Sequence, residues 1–330
     1  MSTDTVTLAA DPVRRSLTRR LIHDLRLHPE DAAVTVEHWL RSEQAGKPSH
    51  GLLRAHYVLN SGQFGPYAGQ LAPAPSRLAP GRLHVDGVGH LGYPIVHRLI
   101  EHGCIEARQH GHCIATGAGV YPSGALGDWA RLACDRGCGL ILLGGSPPRV
   151  AAPDGHTPLL GTNPICVGLP TTPYFICDSS TSAITHGDLL MARDGDTPLP
   201  ANSAVDSTGA HTSVAREVAA LLSIGGSHKS FALAMAIELL CCLGGGVPGS
   251  AEHGEHGVFA VFLGPALVDA NLKIFSERLT VFAEAGARIP GWTVTQRAAA
   301  HQDPAHQDTV TLSVATHAQL APLLRTEDPV

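Results

Sequence analysis

The chain has 330 residues, 44% hydrophobic and 16% charged, so it can bury a substantial core and form two lobes. The formal net charge of −6 is spread along the sequence, and no basic block predicts a nucleic-acid surface. No apolar stretch approaches the roughly 20 residues that span a bilayer, and the first residues lack the apolar core of a signal peptide. We therefore expect a cytoplasmic protein with a small-molecule partner, and neither a nucleic acid nor a membrane as partner.

Cysteine and histidine are frequent, but their spacing does not predict a metal site. Most of the eight cysteines lie in apolar runs, and none forms a C-x-x-C pair. Cys134 and Cys138 are one helical turn apart, where small buried side chains are favoured over metal ligands. His110 and His112 flank a turn glycine, which a solvated loop explains as well as a metal does. We expect no bound metal.

The N-terminal part of the sequence predicts helices. Apolar residues from Val13 to Leu25 recur every four residues and give one face of a helix over 13–27. Pro29 opens a second helix, which Gly46 ends.

From about residue 80, short apolar runs alternate with amphipathic segments, which predicts an α/β core. Buried strands are predicted at 113–118, 139–145, 164–170, 174–180 and 258–264, and helices at 94–108, 125–136, 229–243 and 266–285. The alternation of Val310, Leu312 and Val314 predicts a last strand, followed by a short helix at 317–324.

Residues 87–92 form the pattern G-x-G-x-x-G between a possible strand at 82–86 and a helix, as in a Rossmann dinucleotide site. The next strand, however, ends at Thr116-Gly117-Ala118, which offers neither an acid for a ribose nor an arginine for a phosphate. We favour a glycine-rich turn that lets a helix start close to a strand.

Four separated segments carry a family resemblance: Ser49-His50-Gly51 with Arg54, Gly161-Thr162-Asn163-Pro164-Ile165, Asp178 through Ser182, and Gly225 through Lys229. In this order and spacing, over about residues 14–325, the chain resembles the type-2 malate/L-lactate dehydrogenases. That family also holds ureidoglycolate and sulfolactate dehydrogenases and piperideine-carboxylate reductase.

The resemblance implies a non-Rossmann, L-sulfolactate dehydrogenase-like α/β fold and a homodimer. A mixed sheet would form the dinucleotide domain at 79–254. A helical substrate and dimer lobe would be built from both chain ends, at 14–78 and 255–330. The implied activity is hydride transfer between NAD or NADP and a small 2-oxo or 2-hydroxy acid or a cyclic 2-imino acid.

Hydride transfer to such an acid requires a cation for the substrate carboxylate, a proton donor near the reacting atom and a platform for the nicotinamide. The planar guanidinium of Arg54 suits the carboxylate, although a surface arginine is the alternative. His50 lies four residues earlier, so on a helix it would face the same ligand and could move a proton, unless it is an ordinary capping histidine. Tyr57 follows close to a position where many members of the family have a tyrosine.

Lys229 is one of three lysines and lies where the resemblance places a cofactor loop at the head of a helix. Free backbone N–H groups at a helix start attract phosphate oxygens, and a lysine adds charge, although it could also be a plain helix-terminal lysine. The full set of residues that we expect at the cofactor is Ser123, Ser146, Asp178, Ser179, Ser180, His228 and Lys229. The sequence does not decide between NAD and NADP.

The chain departs from the family where the resemblance places the usual proton-transferring histidine, because Pro122 stands there and has no titratable group. The family's lysine after the Asp-x-x-x-Ser stretch is Asp188 in this chain. A protonated imine substrate would make the lost histidine tolerable, whereas a 2-oxo acid would need His50, Tyr121 or Asp188 as a substitute. The alternative is a non-redox enzyme, such as an isomerase or cyclase, or a binding protein without turnover.

Overall fold

Residues 5–292 and 308–324 are described by the computed structural model, and they form helices around three sheets. The helices are α1 (Ala10–Asp24), α2 (Pro29–Gln44), α3 (Leu53–Asn60), α4 (Gly92–His110), α5 (Leu126–Asp135), α6 (His186–Asp194), α7 (His228–Cys242), α8 (Pro265–Glu284) and α9 (Val314–Leu324). The strands are β1 (Thr5–Ala9), β2 (Ser76–Ala79), β3 (Arg82–Asp86), β4 (His112–Ala118), β5 (Gly139–Gly144), β6 (Val150–Ala151), β7 (Pro158–Leu160), β8 (Ile165–Leu169), β9 (Phe175–Ser179), β10 (Ala204–Val205), β11 (Ala220–Leu221), β12 (Val258–Leu263) and β13 (Thr309–Ser313). The helices and strands predicted from the sequence are confirmed, with ends that shift by no more than three residues.

The largest sheet is mixed and has seven strands in the order β2-β3-β4-β12-β5-β8-β9. Strands β3 and β4 are parallel, and the other neighbouring pairs are antiparallel. Helices α4 and α5 pack on the sheet with fully buried side chains such as Leu99 and Trp129. The predicted mixed α/β architecture is confirmed.

The glycine-rich turn at 87–92 joins β3 to α4, and close packing explains its glycines. The Gly87 N–H donates to the Ala118 carbonyl at 2.8 Å. A Cβ atom at Gly92 would lie 2.5 Å from the Pro122 carbonyl oxygen. The start of α4 is therefore covered by backbone, so the glycine-turn interpretation is confirmed and the Rossmann alternative is excluded.

Elements from the two ends of the chain pack against each other. Strand β1 pairs with β13 in an antiparallel sheet, with Val6 opposite Leu312. Helix α9 packs on α1 and α3, and the Ser16 hydroxyl donates to the Leu323 carbonyl at 2.9 Å. Val314, which the sequence pattern placed in the last strand, instead begins α9.

Strand β12 corrects the predicted boundary at residue 255. The sequence prediction assigned 255–330 to the helical lobe, but β12 lies between β4 and β5 in the large sheet. Val258, Ala260 and Phe262 are fully buried there, because an apolar strand is most stable in the interior of a sheet. Residues 293–307 and 325–330 of that predicted segment lie outside the described part of the chain.

A smaller sheet, in the order β10-β11-β6-β7, packs with α6 around its own apolar cluster, which includes Leu189, Leu199 and Leu221. Strands of two residues are too short to show a period of two, so the sequence did not predict this unit. Among the described residues, no helix has the length and apolar character needed to cross a membrane.

Candidate active site

A cavity of about 360 Å³ lies where the helical lobe, the large sheet and the start of α6 meet. Its lining brings together seven of the residues predicted from the sequence, namely His50, Arg54, Ser123, Ser146, Asp178, Ser180 and Asp188. It also contains residues that the sequence reasoning did not place in a site, among them Lys47, Arg149, Thr162 and His186. Below, this space is called the active-site cavity.

Arg54, the second residue of α3, is held in the cavity wall by its own neighbourhood. Its Nε–H donates to the Ser49 carbonyl at 2.9 Å, and its Cζ lies 5.6 Å from the centroid of the Tyr57 ring. Because Nε is bound to the backbone, the two terminal nitrogens can bind a carboxylate in the cavity. The residue is 8% exposed, so a bound acid would be largely removed from water.

His50 does not lie on a helix, although the sequence predicted that it would. Helix α3 begins only at Leu53, and His50 lies in the preceding turn, where its N–H donates to the Lys47 carbonyl at 2.9 Å. The turn still places the imidazole in the same cavity as Arg54. Burial and the nearby Arg54 charge lower the pKa of His50 to about 3, so its ring is neutral at pH 7.

A buried carboxyl group, that of Glu43, is hydrogen-bonded to the turn that contains His50. Glu43 accepts the Leu52 N–H at 2.8 Å, and a Cβ atom at Gly51 would lie 2.9 Å from the Glu43 backbone nitrogen. Burial raises the pKa of Glu43 to about 7. No motif singled out Glu43, since it is one of several buried residues on α2.

Asp178 is bound on two sides. The Lys47 ammonium lies 2.5 Å from its Oδ2, and the Gly127 N–H at the start of α5 donates to the same oxygen at 2.9 Å. A carboxylate at a helix start is favourable, because the free N–H groups there carry partial positive charge. Asp178, at the end of β9, therefore connects the large sheet to Lys47 after α2 and to the start of α5.

Hydroxyl groups form a second wall of the cavity. The Thr162 N–H donates to Ser146 Oγ at 3.0 Å, and Ser180 Oγ donates to the Thr162 carbonyl at 2.9 Å. Ser180 and Ser182 hydroxyls are 2.6 Å apart. Such groups can both donate to and accept from the ribose or amide of a dinucleotide.

Four predicted residues do not line the cavity. The Tyr57 hydroxyl donates to Gln63 at 2.6 Å, and the Ser179 hydroxyl donates to the Ser180 carbonyl at 2.9 Å. His228 and Lys229 are exposed in the first turn of α7 and lie outside the cavity lining, so their expected contact with the cofactor stays a prediction.

The loop at 121–125, which contains Pro122, is held by hydrogen bonds to two buried side chains. The Trp129 indole N–H donates to the Ser123 carbonyl at 2.7 Å, and the Ala125 N–H donates to His38 Nε2 at 3.0 Å. Because Nε2 accepts, the proton of neutral His38 is on Nδ1.

His38 is fully buried and stacks on Trp129 with ring centroids 4.3 Å apart. Its Nδ1 lies 2.8 Å from Asp128 Oδ2, and Arg41 forms two hydrogen bonds of 2.8 Å to the same carboxylate. The sequence reasoning missed this group, because its members lie 87 residues apart and belong to no motif.

The Asp188 side chain is hydrogen-bonded at the start of α6. Its carboxylate accepts the Thr185 N–H at 3.0 Å, and its own N–H donates to the Thr185 hydroxyl at 3.1 Å. This reciprocal pair is a capping box. The adjacent His186 lines the cavity, and its ring lies edge-on to Tyr57 with centroids 6.4 Å apart.

The structure thus combines a mixed, non-Rossmann α/β fold with a cavity lined by an arginine, an imidazole and several hydroxyl groups. Residues 12–315 match the family model described as malate/L-lactate dehydrogenase, so the chain belongs to this oxidoreductase family.

Two relatives and one solved structure illustrate the range of the family. The chain is 30% identical to an L-lactate dehydrogenase of Cupriavidus necator over 282 residues, 77% of each chain. It is 29% identical to a Δ1-pyrroline-2-carboxylate/Δ1-piperideine-2-carboxylate reductase of Pseudomonas aeruginosa over 319 residues, 90% of this chain and 92% of the relative. The structure of a sulfolactate dehydrogenase from Methanocaldococcus jannaschii matches with a TM-score of 0.74 and 21% identity, covering 96% of each chain. The predicted family and the sulfolactate dehydrogenase-like fold are confirmed.

Proposed function

We propose that this protein transfers hydride between NAD or NADP and a small 2-oxo, 2-hydroxy or cyclic 2-imino acid. The observation that carries this proposal is the active-site cavity itself, where Arg54 and His50 share one space with the hydroxyls of Ser146 and Ser180. The names of the two relatives, a lactate dehydrogenase and a cyclic-imine reductase, support the same substrate class.

At the substrate end, Arg54 binds the carboxylate next to the reacting carbon. Its guanidinium is already oriented by the Ser49 carbonyl, so little side-chain entropy is lost when the acid binds. Neutral His50 donates or accepts a hydrogen bond at the reacting oxygen or nitrogen and positions that atom.

At the cofactor end, Ser123, Ser146 and Ser180 hold the nicotinamide half of the dinucleotide, and Asp178, paired with Lys47, completes this part of the wall. The nicotinamide ring, when bound, supplies or accepts the hydride. His228 and Lys229 attract the phosphates from the head of α7, and Ser179 supports the Ser180 segment. The residues present fit a dinucleotide, because hydroxyl donors and an exposed lysine serve its polar and charged parts.

The proton requirement favours an imino acid. His50 with a pKa of about 3 carries no acidic proton at pH 7, and the Asp188 carboxylate is bound to the Thr185 backbone. Pro122, which lines the cavity where the family histidine is expected, offers no proton. A cyclic imine that enters as an iminium ion brings its own proton, whereas a 2-oxo acid would have to draw on Tyr121.

We further propose a cytoplasmic homodimer. Helix α7 exposes the apolar side chains of Leu233 and Leu239, Leu243 is exposed directly after the helix, and α8 exposes Ile274 and Phe282. An exposed, contiguous apolar surface is typical of a protein–protein interface. Free cysteines throughout the described part of the chain fit a reducing compartment.

The test is incubation of the pure protein with NADH or NADPH deuterated at C4 and with candidate 2-oxo and cyclic 2-imino acids. We expect deuterium at C2 of the reduced acid, with a faster reaction for the imino acid. Arg54→Ala should slow transfer up to about a hundredfold at a subsaturating acid concentration, while Arg19→Ala, at an exposed position of α1, should not change it. Dinucleotide binding without label transfer to any acid would contradict the proposal and favour a non-redox function.

A further inference from the structure

Tyr93, the second residue of α4, is a fully buried tyrosine in the wall of the active-site cavity. Within residues 5–292 and 308–324, its hydroxyl has no hydrogen-bond partner. The Trp39 indole lies edge-on to the ring with centroids 5.7 Å apart, but an indole N–H can only donate, so the phenol proton stays without an acceptor. A buried hydroxyl without a partner costs free energy, which indicates that a ligand in the cavity supplies one.

The hydroxyl end of the Tyr93 ring adjoins the loop at 121–125. A Cβ atom at Gly124 would lie 2.7 Å from Cε1 of Tyr93, the ring carbon next to the one that carries the hydroxyl. Gly124 has a φ of +73°, so both its backbone conformation and the space around it favour glycine. The family resemblance places the usual proton-transferring histidine in this loop, where the chain has Pro122. Tyr93 therefore brings a hydroxyl to the part of the cavity from which that histidine is missing.

The contacts of Tyr93 fix its direction and its protonation state. Besides the edge-on contact with Trp39, the ring lies against His38 with centroids 5.2 Å apart, so few rotamers are open to it. Burial raises the pKa of Tyr93 to about 12, and the nearby Arg54 charge partly opposes this effect. The phenol therefore keeps its proton at neutral pH and offers a hydrogen bond, but no proton transfer.

We propose that Tyr93 contacts the reacting oxygen or nitrogen on C2 of the substrate and is a further catalytic residue of this site. The phenol donates a hydrogen bond to the carbonyl oxygen of a 2-oxo acid, and its oxygen accepts one from the N–H of an iminium ion. This inference rests on the proposed function, in which Arg54 binds the carboxylate attached to C2. It adds a contact to the reacting atom beside that of His50.

The first experiment is Tyr93→Phe, which removes only the hydroxyl, in the deuteride-transfer assay. We expect kcat/KM for the reacting acid to fall about tenfold. For a 2-oxo acid the loss is in kcat, because the hydrogen bond strengthens as charge develops on the oxygen; for an iminium ion it is in KM, because the positive charge disappears in the transition state. Tyr67→Phe is the control, since Tyr67 is outside the cavity lining, and should leave kcat/KM unchanged. An unchanged kcat/KM in Tyr93→Phe would overturn the inference.

Thermal unfolding of the same variant separates a contact to substrate from a structural role. Because the Tyr93 hydroxyl is buried without a partner in the described residues, its removal should leave the Tm of the ligand-free protein unchanged or higher. A clearly lower Tm would show that the hydroxyl serves the fold, and it would contradict the inference.

A binding measurement without turnover separates this inference from the proposed function. Calorimetric titration compares acids with and without the heteroatom, namely pyruvate with propionate and Δ1-piperideine-2-carboxylate with cyclohexene-1-carboxylate. In at least one pair, the wild type should bind the first acid about tenfold more tightly, and Tyr93→Phe should lose most of this difference. If no acid is reduced but this pattern is found, the proposed function fails and the Tyr93 inference stands. If Tyr93→Phe keeps the wild-type difference, or if the wild type shows none, the inference is overturned.

Discussion

At the residue scale, the site depends on side chains that are oriented before any ligand arrives. Arg54 is fixed by the Ser49 carbonyl, and Asp178 is fixed by Lys47 and the Gly127 N–H. Preorganisation of this kind strengthens binding, since few rotamers remain to be lost.

The first prediction separates the two ends of the cavity. Arg54→Ala should raise the KM of the acid substrate roughly a hundredfold, because a charge-assisted hydrogen-bonding partner is lost, and should change the cofactor KM little. Lys229→Ala should do the reverse, with a cofactor KM raised up to about tenfold. Initial-rate kinetics with each substrate varied in turn measure both effects. Equal, small effects of the two changes would show that the site is misplaced.

The second prediction concerns Glu43. Its pKa is about 7 in the folded protein against 4.5 in the unfolded chain, so the folded state binds the proton more tightly. Stability is therefore lost as the pH rises from about 4.5 through 7, by about 3 kcal/mol at 1.36 kcal/mol per pKa unit. Glu43→Gln should remove this loss, so its unfolding free energy relative to the wild type should rise between pH 5 and pH 8.

Urea denaturation at the two pH values measures this change in unfolding free energy. Glu37→Gln is the matched control, because Glu37 lies on the same helix and is partly exposed in its pair with Arg14. A difference between Glu43→Gln and the wild type that is the same at both pH values would contradict a raised pKa.

Residue identity predicted part of this site. The cavity lining includes His50 and Arg54, Ser180 from the stretch after Asp178, and Thr162 and Pro164 from the glycine-threonine-asparagine-proline segment. Lys47, His38 and Asp128 were not predicted, because their roles arise from contacts across 87 or more residues that no local pattern encodes.

At the element scale, the start of α6 forms part of the active-site wall. Gly187 packs there so closely that a Cβ atom would lie 2.6 Å from the Ser49 carbonyl oxygen and 3.0 Å from an Arg54 terminal nitrogen. The same Ser49 carbonyl orients Arg54. The position of α6 and the orientation of the arginine are therefore coupled.

The third prediction tests this coupling. Gly187→Ala should force the turn at 48–52 away from α6, lower the free energy of unfolding by about 1–3 kcal/mol and raise the substrate KM. Gly254→Ala is the control, since no atom lies within 4 Å of its added Cβ. Thermal unfolding and initial-rate kinetics measure both effects, and an unchanged KM in Gly187→Ala would show that α6 and Arg54 are independent.

Long elements were predictable and short ones were not. Helices α4 and α5 have strong amphipathic patterns, and β5 and β12 are continuous apolar runs. The strands of the small sheet have two or three residues, and α6 is recognisable mainly by its capping box. Local sequence patterns therefore predicted the strands of the large sheet. They did not predict the small sheet with α6, which brings Arg149 and His186 to the cavity.

At the scale of the whole molecule, β1 near one end of the chain pairs with β13 near the other. The active-site cavity is lined by residues from the N-terminal helical segment, the large sheet and the start of α6. The sequence alone did not show that β12 returns to the large sheet, because its position depends on pairing with β4 and β5 more than 100 residues earlier. The prediction that both ends of the chain build one lobe came from the resemblance to a known family and not from local sequence pattern.

The fourth prediction concerns assembly. Leu239→Glu and Leu243→Glu together should convert the proposed homodimer into a monomer, because charges would replace apolar side chains that are 61% and 69% exposed in the single chain. Light scattering coupled to size-exclusion chromatography measures the mass. Val88→Glu, at an exposed position in the glycine-rich turn, is the control and should leave the dimer intact. An unchanged dimer mass in the α7 double variant would exclude this face as the interface.

The most direct test of the whole account is a crystal structure with NAD or NADP and an unreactive carboxylic acid bound. The account predicts the nicotinamide ring beside the hydroxyls of Ser146 and Ser180, with the acid between that ring and the terminal nitrogens of Arg54. A dinucleotide bound away from this cavity, or an acid that does not contact Arg54, would contradict the account.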